Sequence, residues 1–76
     1  MTVEEFVTTL RKYRWQEPPE PFIIELTTGK QILIDDPQAV GFIEGKGSFF
    51  SPKYEIIEFS HDEVRAIRPV IQEPAS

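Results

Sequence analysis

A mainly β fold, an N-terminal α-helix followed by a five-stranded small β-barrel, is what this sequence predicts. Three observations carry the expectation. Apolar residues recur at helical spacing as far as Tyr13, the period changes to two from Phe22 onward, and turn-forming residues then punctuate the chain at short intervals.

Residues Thr2 to about Arg14 read as the helix. Thr2 and Glu5 form a capping box, and Val3, Phe6, Val7, Leu10 and Tyr13 make one apolar stripe. Arg11, Lys12 and Arg14 fall in the last turn, where cations complement the helix dipole. Trp15 is expected to pack on the domain beyond. Pro18, Pro19 and Pro21 forbid helix and favour an extended connector.

Phe22, Ile24 and Leu26 alternate, as do Ile32 and Ile34, around Thr27-Thr28-Gly29. A three-residue loop with Gly29 in the left-handed position places Ile24 opposite Ile32 and Phe22 opposite Ile34 on one face. A two-residue loop would split these residues between faces. The same register sets Ile23 opposite Leu33 on the outer face, where two apolar side chains call for cover. Asp36-Pro37 makes a tight turn with Asp36 as cap. Val40–Glu44 is the next strand, Gly45–Ser48 a flexible loop, and Phe49–Ser51 a return to extended structure. Tyr54–Phe59 follows, with Ile57 and Phe59 inward and Tyr54 and Ile56 outward. Ser60 and Glu63 repeat the capping-box pattern around one helical turn, and Val64–Pro69 is the last strand. One domain over residues 1–71 and a mobile tail over 72–76 complete the reading.

Composition bounds the function. Seventy-six residues leave room for one core, and a domain this small commonly needs a staple. There is no cysteine and a single histidine, so disulfides and thiolate metal sites are excluded, and no metal or cofactor site is expected. Of the usual staples, oligomerisation is left. Glu4 and Glu5 stand where a signal peptide would be basic and then apolar, and no apolar run reaches the ~20 residues of a membrane span. A cytoplasmic protein that does not enter membranes is expected. The net charge of −5 disfavours non-specific nucleic-acid binding while leaving room for a local basic patch.

No catalytic constellation emerges. Gly45-Lys46-Gly47-Ser48 lacks the spacing of a phosphate loop and opens no helix. His61, Asp62 and Glu63 are consecutive, project in different directions and read as capping and solvent-facing residues. Asp35-Asp36 precedes Pro37 as a turn cap. Arg65 and Arg68, at period two, are expected on opposite faces of the last strand.

Two resemblances enter on particular residues. Met1-Thr2-Val3-Glu4-Glu5-Phe6, Pro21-Phe22, Leu26-x-x-Gly29-Lys30, Asp36-Pro37 and Glu55-Ile56-Ile57 together resemble a group of short bacterial proteins that carry no assigned function. That likeness spans Met1 to about Val70 and implies a shared fold and a bacterial source. The element order is similar to that of the Sm-like and SH3-like small barrels, the Hfq-type RNA chaperones among them. It implies a ring assembled by pairing the last two strands of neighbours. Hfq-type proteins carry Tyr-Lys-His at the turn before the last strand, where this chain has Ser60-His61-Asp62. The aromatic stacker is missing and a carboxylate is added.

The expected function is a non-enzymatic module that self-associates or binds a protein partner, through Ile23, Leu33, Tyr54 and Ile56. The alternative is an Sm-like RNA-binding ring contacting RNA through Arg11, Lys12, Arg14 or Arg65. A monomeric SH3-like peptide binder is a third reading, its groove drawn from Trp15, Tyr54 and Phe50.

Overall fold

The computed structural model describes residues 1–70; the expected boundary at residue 71 and the tail 72–76 lie outside the described residues. Helix α1 (Val3–Arg14) begins at the Thr2 cap, where the Thr2 hydroxyl accepts from the Glu5 N–H at 3.1 Å and the Glu5 carboxylate accepts from the Thr2 N–H at 3.1 Å. The helix stripe meets the core as expected, with Phe6, Leu10 and Tyr13 buried. Trp15 does not pack inward: it caps the helix and stays 64 % exposed beside Arg14. Residues 15–21 form an irregular connector that includes a cis Glu17–Pro18 bond.

The β part is mainly antiparallel sheet, as expected, but it is not a five-stranded closed barrel. Among the described residues, six strands form two three-stranded sheets. One sheet runs in the order β2 (Gln31–Ile34), β1 (Phe22–Leu26), β6 (Val64–Pro69). The other runs β3 (Val40–Ile43), β4 (Lys46–Phe50), β5 (Ile56–Ser60). The extra strand is β4. Lys46-Gly47-Ser48 belongs to it and not to a flexible loop, because Glu44-Gly45 alone turns the chain between the paired residues Ile43 and Lys46. Glu44 takes φ +53° to do so. Gly47 is extended and passes under the Phe59 ring, which leaves no space for a Cβ: one would fall 2.6 Å from the ring. The Gly-rich stretch therefore signals a close approach of side chain to backbone.

The register of the first hairpin matches the reading: Phe22 faces Ile34, Ile23 faces Leu33 and Ile24 faces Ile32. Gly29 holds φ +94° in the loop. Strand β5 starts at Ile56, two residues later than expected, because Pro52-Lys53-Tyr54 is a turn. The turn before β6 is hydrogen-bonded but not helical. The Glu63 carboxylate accepts from the Ser60 N–H at 3.1 Å, and the Ser60 hydroxyl donates to Asp62 at 2.6 Å. That hydroxyl holds the exposed Asp62 carboxyl below the usual carboxylate range.

The core lies between the sheets and under α1. Phe22, Ile24, Ile34, Val40, Phe49, Phe59 and Val64 close over Phe6 and Leu10. The helix touches both sheets. Phe6 meets Phe59 edge-on at 5.9 Å, and Tyr13 stacks on Phe22 at 4.6 Å.

Candidate interaction surface

A strand hydrogen-bonds alternately to its two sides, so each sheet edge exposes every second backbone group. Each outer strand here can be followed to see what meets those groups. In β3 they belong to Val40 and Phe42, and the Arg14 guanidinium donates to the carbonyls of Val40 and Gln38. The helix thereby covers the Val40 end of that edge and leaves Phe42 open. In β6 the Val64 carbonyl accepts from the Met1 ammonium at 3.1 Å and Pro69 has no N–H to offer, which leaves Ile67 open. In β5 the Ser60 N–H is met by Glu63, which leaves Ile56 and Glu58 open.

Strand β2 differs. The Leu26 N–H donates to the Lys30 carbonyl at 2.8 Å, so Lys30, Ile32 and Ile34 face β1, and Gln31, Leu33 and Asp35 face away. Among the described residues, nothing bonds to those three outward backbone units. An open cleft of about 480 Å³ runs along this edge, between β2 and the β4–β5 hairpin. Ile32, Phe49 and Ile57 line it, with Lys30 and Lys53 also on its walls.

The residues expected at an interface fall into two places. Ile23 and Leu33 are cross-strand neighbours on the outer face of the first sheet, with Leu33 55 % exposed. Tyr54 and Ile56 lie at the β4–β5 turn, 84 % and 68 % exposed. They are not alternate residues of one strand, as the reading had them. Tyr54 sits in the turn at φ +64° and meets Phe50 at 6.1 Å, while Ile56 pairs with Phe50 across the ladder.

Phe50, 52 % exposed, completes this second cluster. From sequence alone it is expected only in an SH3-like groove. Its signal is the pair Phe49-Phe50: consecutive strand residues point to opposite faces, and Phe49 is buried. The third member of that groove, Trp15, is absent from the aromatic contacts of this cluster.

The four expected RNA contacts are not equally available. Arg14 is engaged with two backbone carbonyls. A register shift between Glu25 and Leu26 leaves Arg65 unpaired in β6, a β-bulge. The bulge corrects the expectation for the last strand, since Arg65 and Arg68 both come within 3.9 Å of the Glu25 carboxylate. Arg11 and Lys12 remain exposed on the helix, with the Lys12 ammonium 5.9 Å from the Tyr13 ring.

His61 is not simply solvent-facing. Its Nδ1 lies 2.9 Å from the Met1 carbonyl oxygen, and a Cβ on Gly45 would meet its ring at 2.6 Å. Its N–H donates to the Gly45 carbonyl at 2.7 Å, extending the β4–β5 ladder by one bond. Among the described residues no group of His, Asp and Glu gathers in a metal-binding arrangement, and no helix is long and apolar enough to cross a membrane.

No known family model, curated protein or solved structure matches this chain.

Proposed function

We propose that the protein is a non-enzymatic interaction module whose function is to self-associate through its open strand edges. The observation that carries this reading is the β2 edge. Three successive outward backbone units lie bare beside an exposed leucine, while the β3 and β6 edges are partly met, by Arg14 and by Met1. Soluble proteins blunt such edges with charge, proline or cover, and an unblunted one is a template for another strand. The Phe50–Tyr54–Ile56 cluster beside the second open edge, β5, supports the same reading, because isolated exposed aromatics are rarely gathered without a partner. Kinship with Sm-like or SH3-like barrels rests on one feature. Strands β2 and β3 are separated by Asp35, Asp36 and a 3-10 turn, Pro37–Ala39, so the pair reads as one bent strand passing between sheets.

Light scattering on a size-exclusion column tests the proposal. A mass at least twice the 8.8 kDa chain at high micromolar concentration is the expected result. A monomer would sink it. The same column tests the RNA reading: an absorbance ratio at 260/280 nm raised at low salt and lost at high salt would transfer the function to Arg11 and Lys12.

A further inference from the structure

We infer that two copies of this chain join through β2, antiparallel about a two-fold axis that passes beside Leu33. The inference rests on the self-association reading and specifies its symmetry and register.

The argument begins with the bonding groups. An antiparallel pair about a two-fold sets residue i opposite a fixed complement, and the backbone groups available are those of Gln31, Leu33 and Asp35. With Leu33 opposite Leu33 of the second copy, Gln31 falls opposite Asp35 and Asp35 opposite Gln31. Every outward N–H and C=O of these residues then finds a reciprocal partner.

Charge selects the same register. Lys30 falls opposite Asp36 of the second copy, and Asp36 opposite Lys30, so each end of the ribbon carries opposite charges. All four of Lys30, Gln31, Asp35 and Asp36 are exposed, and Asp36 keeps one carboxylate oxygen open while the other accepts from the Gln38 N–H at 3.2 Å. Sliding the strands by two residues sets Lys30 against Ile34 and loses both charge pairs. The outer face benefits as well: Ile23 and Leu33 of one copy meet Leu33 and Ile23 of the other, a continuous apolar strip across the axis.

The β5 edge does not have this property. Its open groups belong to Ile56 and Glu58. A two-fold centred on Glu58 sets two carboxylates face to face. Centred on Ile56, the pairing runs into Tyr54, whose left-handed backbone ends the strand. A two-fold centred on Ile57 does set Ile56 opposite Glu58, but it joins two outward units per copy instead of three and brings no opposite charges together, so β5 is the weaker edge for self-pairing.

Cysteine crosslinking tests the register, because the chain has no cysteine of its own. Directly opposed residues in a hydrogen-bonded antiparallel pair have Cα atoms about 5.5 Å apart, within disulfide reach. Leu33→Cys is expected to give a disulfide-linked dimer under mild oxidation, while Ile56→Cys is not. Lys30→Asp is expected to weaken the dimer about tenfold, by turning two attractive pairs into repulsive ones. Ile56→Asp is expected to leave it intact. A wild-type oligomer in which Ile56→Cys crosslinks and Leu33→Cys does not would overturn this register and preserve self-association. A monomeric wild type would overturn both.

Discussion

Two loops of this protein share one hydrogen-bond pattern but put different residues at the position of positive φ. In Leu26–Lys30 the first N–H donates to the last carbonyl at 2.8 Å and the Gly29 N–H returns to Leu26 at 2.9 Å. In Ser51–Glu55 the corresponding distances are 2.8 Å and 3.0 Å, with Tyr54 in the glycine position. A left-handed backbone costs an L-residue about 1–2 kcal/mol, and glycine avoids that cost. Gly29→Val is expected to lower the melting temperature measurably: no atom lies within 4 Å of the added Cβ, so the cost is backbone strain. Tyr54→Gly should leave stability equal or higher, since relieved strain offsets the lost Phe50 contact. A marked loss of stability in Tyr54→Gly would show that the ring is a packing element and not a displayed surface.

Tyr13 permits a test by pH. Burial, reinforced by the charge of Glu20, pushes its phenol above the usual tyrosine range. A raised folded value stabilises the fold fully below the unfolded value of about 10 and is lost as pH rises through the folded one. Denaturant midpoints should therefore fall above about pH 10, and Tyr13→Phe, which keeps the ring on Phe22, should flatten that alkaline branch.

At the scale of elements, the decisive contact is the one that docks α1. Arg14 follows the buried stripe and reaches the backbone carbonyls of Gln38 and Val40. Charge-assisted bonds of this kind are worth about 1.5–3 kcal/mol where water is excluded, and less here because Arg14 is half-exposed. Arg14→Met should destabilise by about 1 kcal/mol in urea melts. A change in nucleic-acid affinity with unaltered stability would instead restore Arg14 to the RNA-contact set.

The capping box, the apolar stripe and the first hairpin were legible because each is written in local residue types: Thr2 with Glu5, a helical period, Gly29 between alternating strands. The second three-residue loop was not, because tyrosine carries no signal for a positive φ. Strand β4 was hidden by Gly45 and Gly47, which look like a loop until the rings of His61 and Phe59 are seen lying against them. The bulge at Arg65 exists only in relation to β1, so no reading of β6 by itself could place both arginines on Glu25. Of the expected interface residues, exposure of Leu33 followed from register, whereas the openness of its edge depended on where the other edges found their partners.

For the whole molecule, the absence of a common ladder matters. The two sheets share no paired strands, and α1 bridges them through Phe6 on Phe59 and Tyr13 on Phe22. Phe6 is fully buried, so Phe6→Ala should cost about 3–5 kcal/mol, enough to unfold a domain of this size at ordinary temperature. A mild response would mean that the sheets hold each other without the helix.

The chain order of those sheets has a kinetic consequence. Strands β3, β4 and β5 are consecutive and joined by short turns, so they can assemble from a continuous stretch. Pairing of β1 with β6 must close a long loop first, and β6 is the last strand along the chain. Closing that loop costs entropy before any contact is gained. The meander should thus organise early in folding and the β1–β6 ladder late. In stopped-flow experiments, Ile67→Val should speed unfolding with little effect on refolding, whereas Val40→Ala, which truncates a buried side chain of β3, should slow refolding. During the interval between the two steps, β2 and β1 can form only their own hairpin, and the open flank proposed to join two finished copies is also open between two unfinished ones.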